Sequence, residues 1–474
     1  MTREHGNIVP VRSELRKPGF KQYISQRHII LVILVFLSVI LGLALPMLRE
    51  KFQYVLILAV PAAIIGILVL RNPFFGVCLF YIYEFARPDN FFPSLRPLRI
   101  AIIIQVGTLL AWMLQLIIQK KNVRWDKFSW AYLFFVAVMA AGVINAEIYG
   151  FALDYTQEMF SAFVIFTIAV NVTNSLKRIR ILVNILLLIH LYFAIKGVIT
   201  GGFVGGSLMG DENDFALALN VMIPFAFFFF LNAKSRIKKA FYLLLLVAFL
   251  LGVISSLSRG GWVGLVVVVL YCMIRSKQKL RSFAIVVMLS VVAVLFAPSE
   301  YWEEVESIKN TGEGTAQVRK DYWMAAVRMY IDHPVIGVGA ANGSFRMPEY
   351  YQGRLQTATQ WGRTFHGTLP QILAELGTLG MAAYLFMVYF AFKYLIAVGR
   401  EYPGARTDYA PTLANAIVGA ILGYFATSAF LSTAYYPQLW TLYTLTISLT
   451  FICRERFSQP TAESGDIESS QIKM

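Results

Sequence analysis

The sequence predicts an all-α polytopic membrane protein of about twelve to fourteen transmembrane helices with one large loop on the outer side. Three observations predict it. Apolar runs of about 17–22 residues recur from about residue 28 nearly to the charged C-terminal tail. Hydrophobic residues make up 58% of the chain and charged residues 15%, where soluble domains have about half and about a quarter. The links between the runs alternate between basic and acidic or mixed character. Only helices or closed barrels satisfy the backbone in hydrocarbon, and the runs lack the apolar–polar alternation of a barrel strand, so helices are expected.

The chain opens with MTREHGNIVPVRSELRKPGFKQYISQR, too long and too charged for the n-region of a cleaved signal peptide; residues 1–27 read as a cytoplasmic tail. Apolar spans are then centred near residues 38, 62, 80, 109, 137, 166, 190, 223, 249, 267 and 289. The third is short enough to be re-entrant. Residues 28–298 therefore read as transmembrane helices, and 299–365 as the large outer loop. That loop holds a helical stretch, TAQVRKDYWMAAVRMYI, and a glycine-rich turn, HPVIGVGAANGSF. Residues 366–454 carry a short outer helix and the last spans, centred near 387, 421 and 445. The tail 455–474 reads as cytoplasmic and disordered.

The basic links are QKKNVRWDK, NSLKRIR, NAKSRIKK and RSKQKLR, which favours the cytoplasmic side for them. The links between them, AEIYGFALDYTQE and GGSLMGDEND, then fall outside, with the SSLSRGG corner and the large loop. The net charge of +15 is thus mostly topology, with some attraction to anionic lipid, and does not point to nucleic acid. Cys78, Cys272 and Cys453 all lie in apolar runs, which suits neither a disulfide framework nor a zinc site. Neither a P-loop, HExxH nor GxSxG is present, and no cofactor or metal is expected.

The chemistry-bearing residues cluster on the outer side. In TFHGTLPQILAELGTLG, Thr368 and Gln371 have capping-box spacing and Pro370 sits in the first turn, so a helix should start near Thr368. His366 stands just before it, beside free N–H groups and the positive end of the helix dipole. That setting keeps an imidazole neutral, as a general base must be; the competing reading is a polar interface residue. Gly377 and Gly380 should allow a bend before the true span, and Glu375 lies on the short segment ahead of it. Arg259, in SSLSRGGWVGL, stands outside against the charge bias, where its planar fork suits phosphate oxygens; the bland reading is a snorkelling arginine. Arg319 shares a helical face with Trp323 and Met324, and the same loop holds Arg328, Arg346, Arg354 and Arg363. A solvated charged face is the ordinary reading of Arg319. Asn213 and Asp214 open an apolar span, Asp214 as a candidate cap. Glu84, in FYIYEFARP, is a membrane-edge carboxylate with no assigned partner. Cations and a neutral histidine at that depth suggest a lipid-linked phosphate or diphosphate and an activated hydroxyl.

Three of these stretches, SSLSRGGWVGL, VRKDYWMAAVRMYIDHPVIGVGAANGSF and TFHGTLPQILAELGTLGMAAYL, resemble the O-antigen ligase superfamily over about residues 205–400. That superfamily includes O-antigen ligases, O-antigen polymerases and protein O-oligosaccharyltransferases. The resemblance implies a GT-C-like multi-helix transferase with a large periplasmic loop in the bacterial inner membrane. It implies metal-independent transfer of a glycan from undecaprenyl diphosphate to an acceptor hydroxyl, with lipid A-core as the first choice of acceptor. The family's loop histidine falls on His366, its corner arginine on Arg259 and its early loop arginine on Arg319, as catalytic base and two diphosphate ligands. Asn213, Asp214, Glu375 and Arg363 are supporting candidates. Where the family often has Asn after the histidine, this chain has Gly367.

Polymerisation on the lipid carrier, or transfer to protein, would use the same chemistry with another acceptor. A polymerase must hold two lipid-linked glycans, and the arginines at 346, 354 and 363 could form a second basic cluster. A glycolipid transporter or flippase is the rival of a different class; it should show repeated halves and midplane polar sites, which the sequence does not display.

Overall fold

The computed structural model describes residues 50–202, 204, 211–307, 314–353, 355, 357–401 and 409–458. The apolar run near residue 38, both terminal tails as far as 49 and from 459, and Arg354 lie outside the described residues. The chain divides into two compact units, 1–67 and 68–474. The described part of the first belongs to helix α1, Glu50–Arg71, an apolar helix with Pro61 inside it. The second is a helical bundle without strands among its described residues.

Its helices follow the apolar runs in order. They are α2 (Pro73–Ala86), α3 (Ile100–Gln119), α4 (Lys127–Gly142), α5 (Tyr149–Val172), α6 (Leu176–Ile199), α7 (Glu212–Asn232), α8 (Arg236–Ser255), α9 (Arg259–Arg275) and α10 (Lys279–Phe296). The loop region contributes α11 (Ser299–Ser307) and α12 (Gly314–Asp332), and the chain closes with α13 (Thr368–Glu401), α14 (Tyr409–Ser428) and α15 (Pro437–Ser458). The thirteen expected span centres from 62 to 445 each fall inside one of these helices. Among the described residues eight helices are long and apolar enough to cross a membrane by length and composition. The protein is an all-α polytopic membrane protein.

Burial separates the layers. The apolar window of α7 is 94% buried, whereas that of α10 is 11% buried, so α7 is the bundle's central post and α10 faces outward. Around α7 pack α6, α8, α9 and α14. Small residues allow that approach: a side chain at Gly264 would run into Thr427 and Asn220. Asn220 fills the junction, donating to Gly261 O at 2.8 Å and to Thr427 Oγ1 at 3.1 Å. A second layer joins α4, α5, α13 and α15.

The loops sort into two ends. At the basic end Arg124 bonds Glu455 at 2.7 Å, Arg178 stacks over Phe74 at 5.0 Å, and Arg180 over Tyr409 at 4.0 Å. At the other end Ser258 donates to Asn213 at 2.7 Å, and Asn145 donates to Gly337 O at 2.9 Å. The described residues of the segment 314–367 lie at this second end. It carries its own small core, with Tyr322, Ala325, Met329, Val338, Met347 and Phe365 all buried.

The anticipated bend in α13 is a true break. Gly377 has φ +61° and ψ −158°, a conformation that side-chain-bearing residues avoid. An unbroken helix would pair Ala374 O with Thr378 N–H and Glu375 O with Leu379 N–H. Here the glycine-rich turn supplies all four partners. Val338 and Gly339 donate to Ala374 O and Glu375 O at 2.9 and 3.0 Å. Thr378 and Leu379 donate to Pro334 O and Val335 O at 2.8 and 3.1 Å. The non-helical backbone persists here because protein groups satisfy it.

Candidate functional site

The site forms where three distant stretches meet at the end opposite the basic loops. Arg259 is the first residue of α9, behind an N-cap in which Ser258 Oγ accepts from Gly261 N–H at 2.9 Å. The same hydroxyl donates to Asn213 Oδ1, which ties the starts of α7 and α9 together. Arg259 Nε donates to Glu304 Oε1 of α11 at 2.6 Å. Arg319, on α12, is half-buried with its guanidinium 5.4 Å from the Phe430 ring. Phe430 also closes on Gly260, where a Cβ would lie 3.4 Å from the Phe430 side chain. One aromatic ring thus joins the Arg259 corner to Arg319.

The two cations feel each other. Burial, and then the charge of Arg259, push the Arg319 guanidinium below its ordinary pKa, though a guanidinium stays protonated at any working pH. Like charges gathered in a half-buried place suit an anion with several oxygens.

His366 sits in the loop ahead of α13, half-buried, with φ +48°. A left-handed non-glycine residue needs support from its surroundings. Trp323 Nε1 provides some, donating to Phe365 O at 3.1 Å, and Phe365 itself is a buried anchor. The His366 ring lies over Tyr322 at 5.9 Å, and Tyr322 is held by Gln360 at 2.9 Å. Burial lowers the imidazole pKa first; the charges of Arg319 and Arg363 lower it further, and Asp211 opposes them. The imidazole is therefore neutral near pH 7 and able to take a proton.

Arg259, Arg319 and His366 thus come together, and the exposed Arg363 stands close enough to act on His366. The supporting candidates divide. Asn213 belongs to the α7–α9 junction. Asp214 is buried and accepts from Tyr436 O–H at 3.1 Å; it is not the cap of α7, because Asp211 takes that place and accepts from Asn213 N–H at 2.7 Å. Glu375 is buried below the loop, its Oε2 accepting from Tyr435 O–H at 2.7 Å, Ala341 N–H at 3.1 Å and Gln371 at 3.3 Å. It fastens the glycine-rich turn to the α14–α15 link.

Two further expectations change. α13 does start at Thr368, but Thr368 does not form a capping box: its hydroxyl meets Ser428 O, Leu431 O and Thr433 Oγ1 at 3.2, 2.9 and 2.8 Å. Gln371 reaches forward instead, accepting from Ala434 N–H at 3.2 Å. The pull of the neighbouring α14–α15 link outweighs the local cap. Glu84 has a partner, Arg87, at 2.8 Å.

Sequence reasoning missed Asp211, Glu304 and Phe430. Asp211 carried a signal, standing one residue before the acidic first turn of an apolar helix. Glu304 and Phe430 carried none, since only tertiary contact relates them to the arginines. Among the described residues no three His, Cys, Asp or Glu side chains gather as metal ligands.

No curated protein matches the chain. A family model does: residues 243–385, the stretch that holds Arg259, Arg319 and His366, match the model described as O-antigen ligase, so this part of the chain is similar to that family.

Proposed function

We propose that this protein transfers a glycan from undecaprenyl diphosphate to an acceptor hydroxyl, lipid A-core first, at the periplasmic face of the bacterial inner membrane. One observation carries the reading: Arg259, Arg319 and His366 come from three separate stretches, yet Arg319 lies close enough to feel the charge of Arg259 and to act on His366. The gathering of the basic links at the opposite end supports the assignment of faces, because such loops stay cytoplasmic.

In this mechanism neutral His366 takes the proton from the acceptor O–H. The acceptor oxygen forms a bond to the anomeric carbon as the bond from that carbon to the diphosphate oxygen breaks. The electron pair leaves on the diphosphate. Arg259 and Arg319 stabilise the charge that grows there, where preorganised cations contribute most. Attack opposite the leaving group inverts the anomeric centre. The imidazolium then releases its proton to solvent or to the departing diphosphate. No metal takes part in the proposed steps.

Arg346 bears on the choice of acceptor. Instead of joining a second basic cluster, it holds Asn145 O at 3.1 Å, His333 Nε2 at 3.2 Å and Glu147 at 3.9 Å. This takes one of the three arginines away from the second basic cluster that a polymerase would need.

The test is transfer by reconstituted protein given a labelled glycan on undecaprenyl diphosphate, with and without lipid A-core. Label on lipid A-core is the expected result. A glycan that lengthens on its carrier without added acceptor would make the protein a polymerase. Label moved across the vesicle membrane without a new glycosidic bond would make it a transporter. Arg259→Lys keeps the charge and loses the fork, so its turnover should fall; undiminished turnover would refute bidentate phosphate binding.

A further inference from the structure

The basic end of the bundle holds a cavity of about 1040 Å³, far from His366 along the helices and without a part in the transfer. Arg180, Lys234, Lys238, Arg275 and Lys277 line it, and among the described residues no Asp or Glu does. Two of these cations are held in place: Arg180 stacks on Tyr409 at 4.0 Å, and Arg275 donates to Asn415 at 3.3 Å. Fixed cations without a counter-acid among the described residues make an anion site in waiting.

The deeper wall is apolar. Phe228, Phe229 and Leu231 line it and are buried, while Leu188 lines it and is 53% exposed on the bundle's outer surface. The cavity therefore joins a basic mouth to an apolar flank, which a soluble anion would not fill. A third feature narrows the ligand: Asn184 lines the cavity, and its buried Oδ1 lacks a hydrogen-bond partner among the described residues. Such an acceptor calls for a donor.

We infer that this cavity is a site for an anionic glycerophospholipid whose head group carries a hydroxyl, of the phosphatidylglycerol kind. The phosphodiester meets the arginines and lysines, the head-group hydroxyl donates to Asn184 Oδ1, and an acyl chain lies along Leu188 and the phenylalanine wall. Basic pockets between membrane helices hold anionic head groups in this manner. The inference stands apart from the proposed transfer, since it uses none of its residues.

Native mass spectrometry tests it on full-length protein released from micelles containing equal phosphatidylglycerol and phosphatidylcholine. Phosphatidylglycerol should be retained preferentially. A Lys234→Gln, Lys238→Gln, Lys277→Gln triple variant should lose at least about tenfold of that retention, and the three lysines changed to arginine should keep it. These lysines are exposed, so folding is not at risk, and a thermal unfolding curve checks it. Asn184→Leu should narrow the preference over phosphatidic acid, which lacks the head-group hydroxyl. Equal retention of phosphatidylcholine, or full retention by the triple glutamine variant, would overturn the inference. Displacement of the lipid by inorganic phosphate would also overturn it, by making this a soluble-anion site.

Discussion

Replacing Gly377 by alanine should release the glycine-rich turn that backs the site. At φ +61° and ψ −158° a side-chain-bearing residue is strained by about 1–3 kcal/mol. The new Cβ would stand 2.7 Å from the carbonyl carbon and oxygen of Val335, and 2.8 Å from Gly337 N. These are backbone atoms, so no side chain can swing aside. Moving residues 334–337 away breaks the bonds from Thr378 and Leu379 to Pro334 O and Val335 O. Each is worth about 1 kcal/mol net. Together the loss is about 3–5 kcal/mol, a large share of a typical protein's stability. Gly399→Ala is the control on the same helix, because a Cβ there meets nothing within 4 Å. In an exposed helix that change should be neutral or gain up to about 1 kcal/mol. Thermal unfolding of the two purified variants in detergent reads the contrast, Gly377→Ala melting well below wild type and Gly399→Ala at or above it. Equal stability of Gly377→Ala and wild type would refute the argument that the break at Gly377 is built into the fold.

Other outcomes follow from the same contacts. Arg363→Gln removes one of the cations that hold the His366 pKa down, so the imidazolium becomes easier to form. The acid limb of a transfer-against-pH profile should move to higher pH; an unmoved or lowered limb would contradict the electrostatics. Thr368→Val removes the hydroxyl that donates toward Ser428 O and Leu431 O and accepts from Thr433 N–H, and should cost about 1–3 kcal/mol in unfolding experiments. Glu375→Leu leaves Tyr435 O–H and Ala341 N–H without an acceptor, whereas Glu375→Gln keeps an oxygen; the leucine variant should melt lower than the glutamine one.

Much of the architecture was legible because it rests on local chemistry. Apolar runs long enough for a bilayer became helices, and basic links collected at one end. Gly377 announced the bend because glycine weakens any helix, but not that the turn 334–339 would enter the break and take over its hydrogen bonds. Arg259, Arg319 and His366 were each visible as unusual residues, yet what joins the Arg259 corner to Arg319 is Phe430, an unremarkable aromatic in an apolar segment. Thr368 misled because its hydroxyl has two choices. The local cap is written in the spacing, whereas the α14–α15 link that captures it lies some sixty residues on. Asp211 and Asp214 differ in the same way: one caps the helix, and the other is buried against Tyr436. Arg346 looked available for a ligand and instead holds backbone and acid at Asn145 and Glu147.

The central claim is that His366 accepts the acceptor's proton beside two diphosphate-binding arginines. The most direct measurement is the single-turnover rate of glycan transfer by reconstituted His366→Ala against wild type, with both shown to be folded and membrane-inserted. A fall of about 10²–10⁴-fold, with donor binding retained, is the predicted result. A near-normal rate from the folded variant would contradict the account.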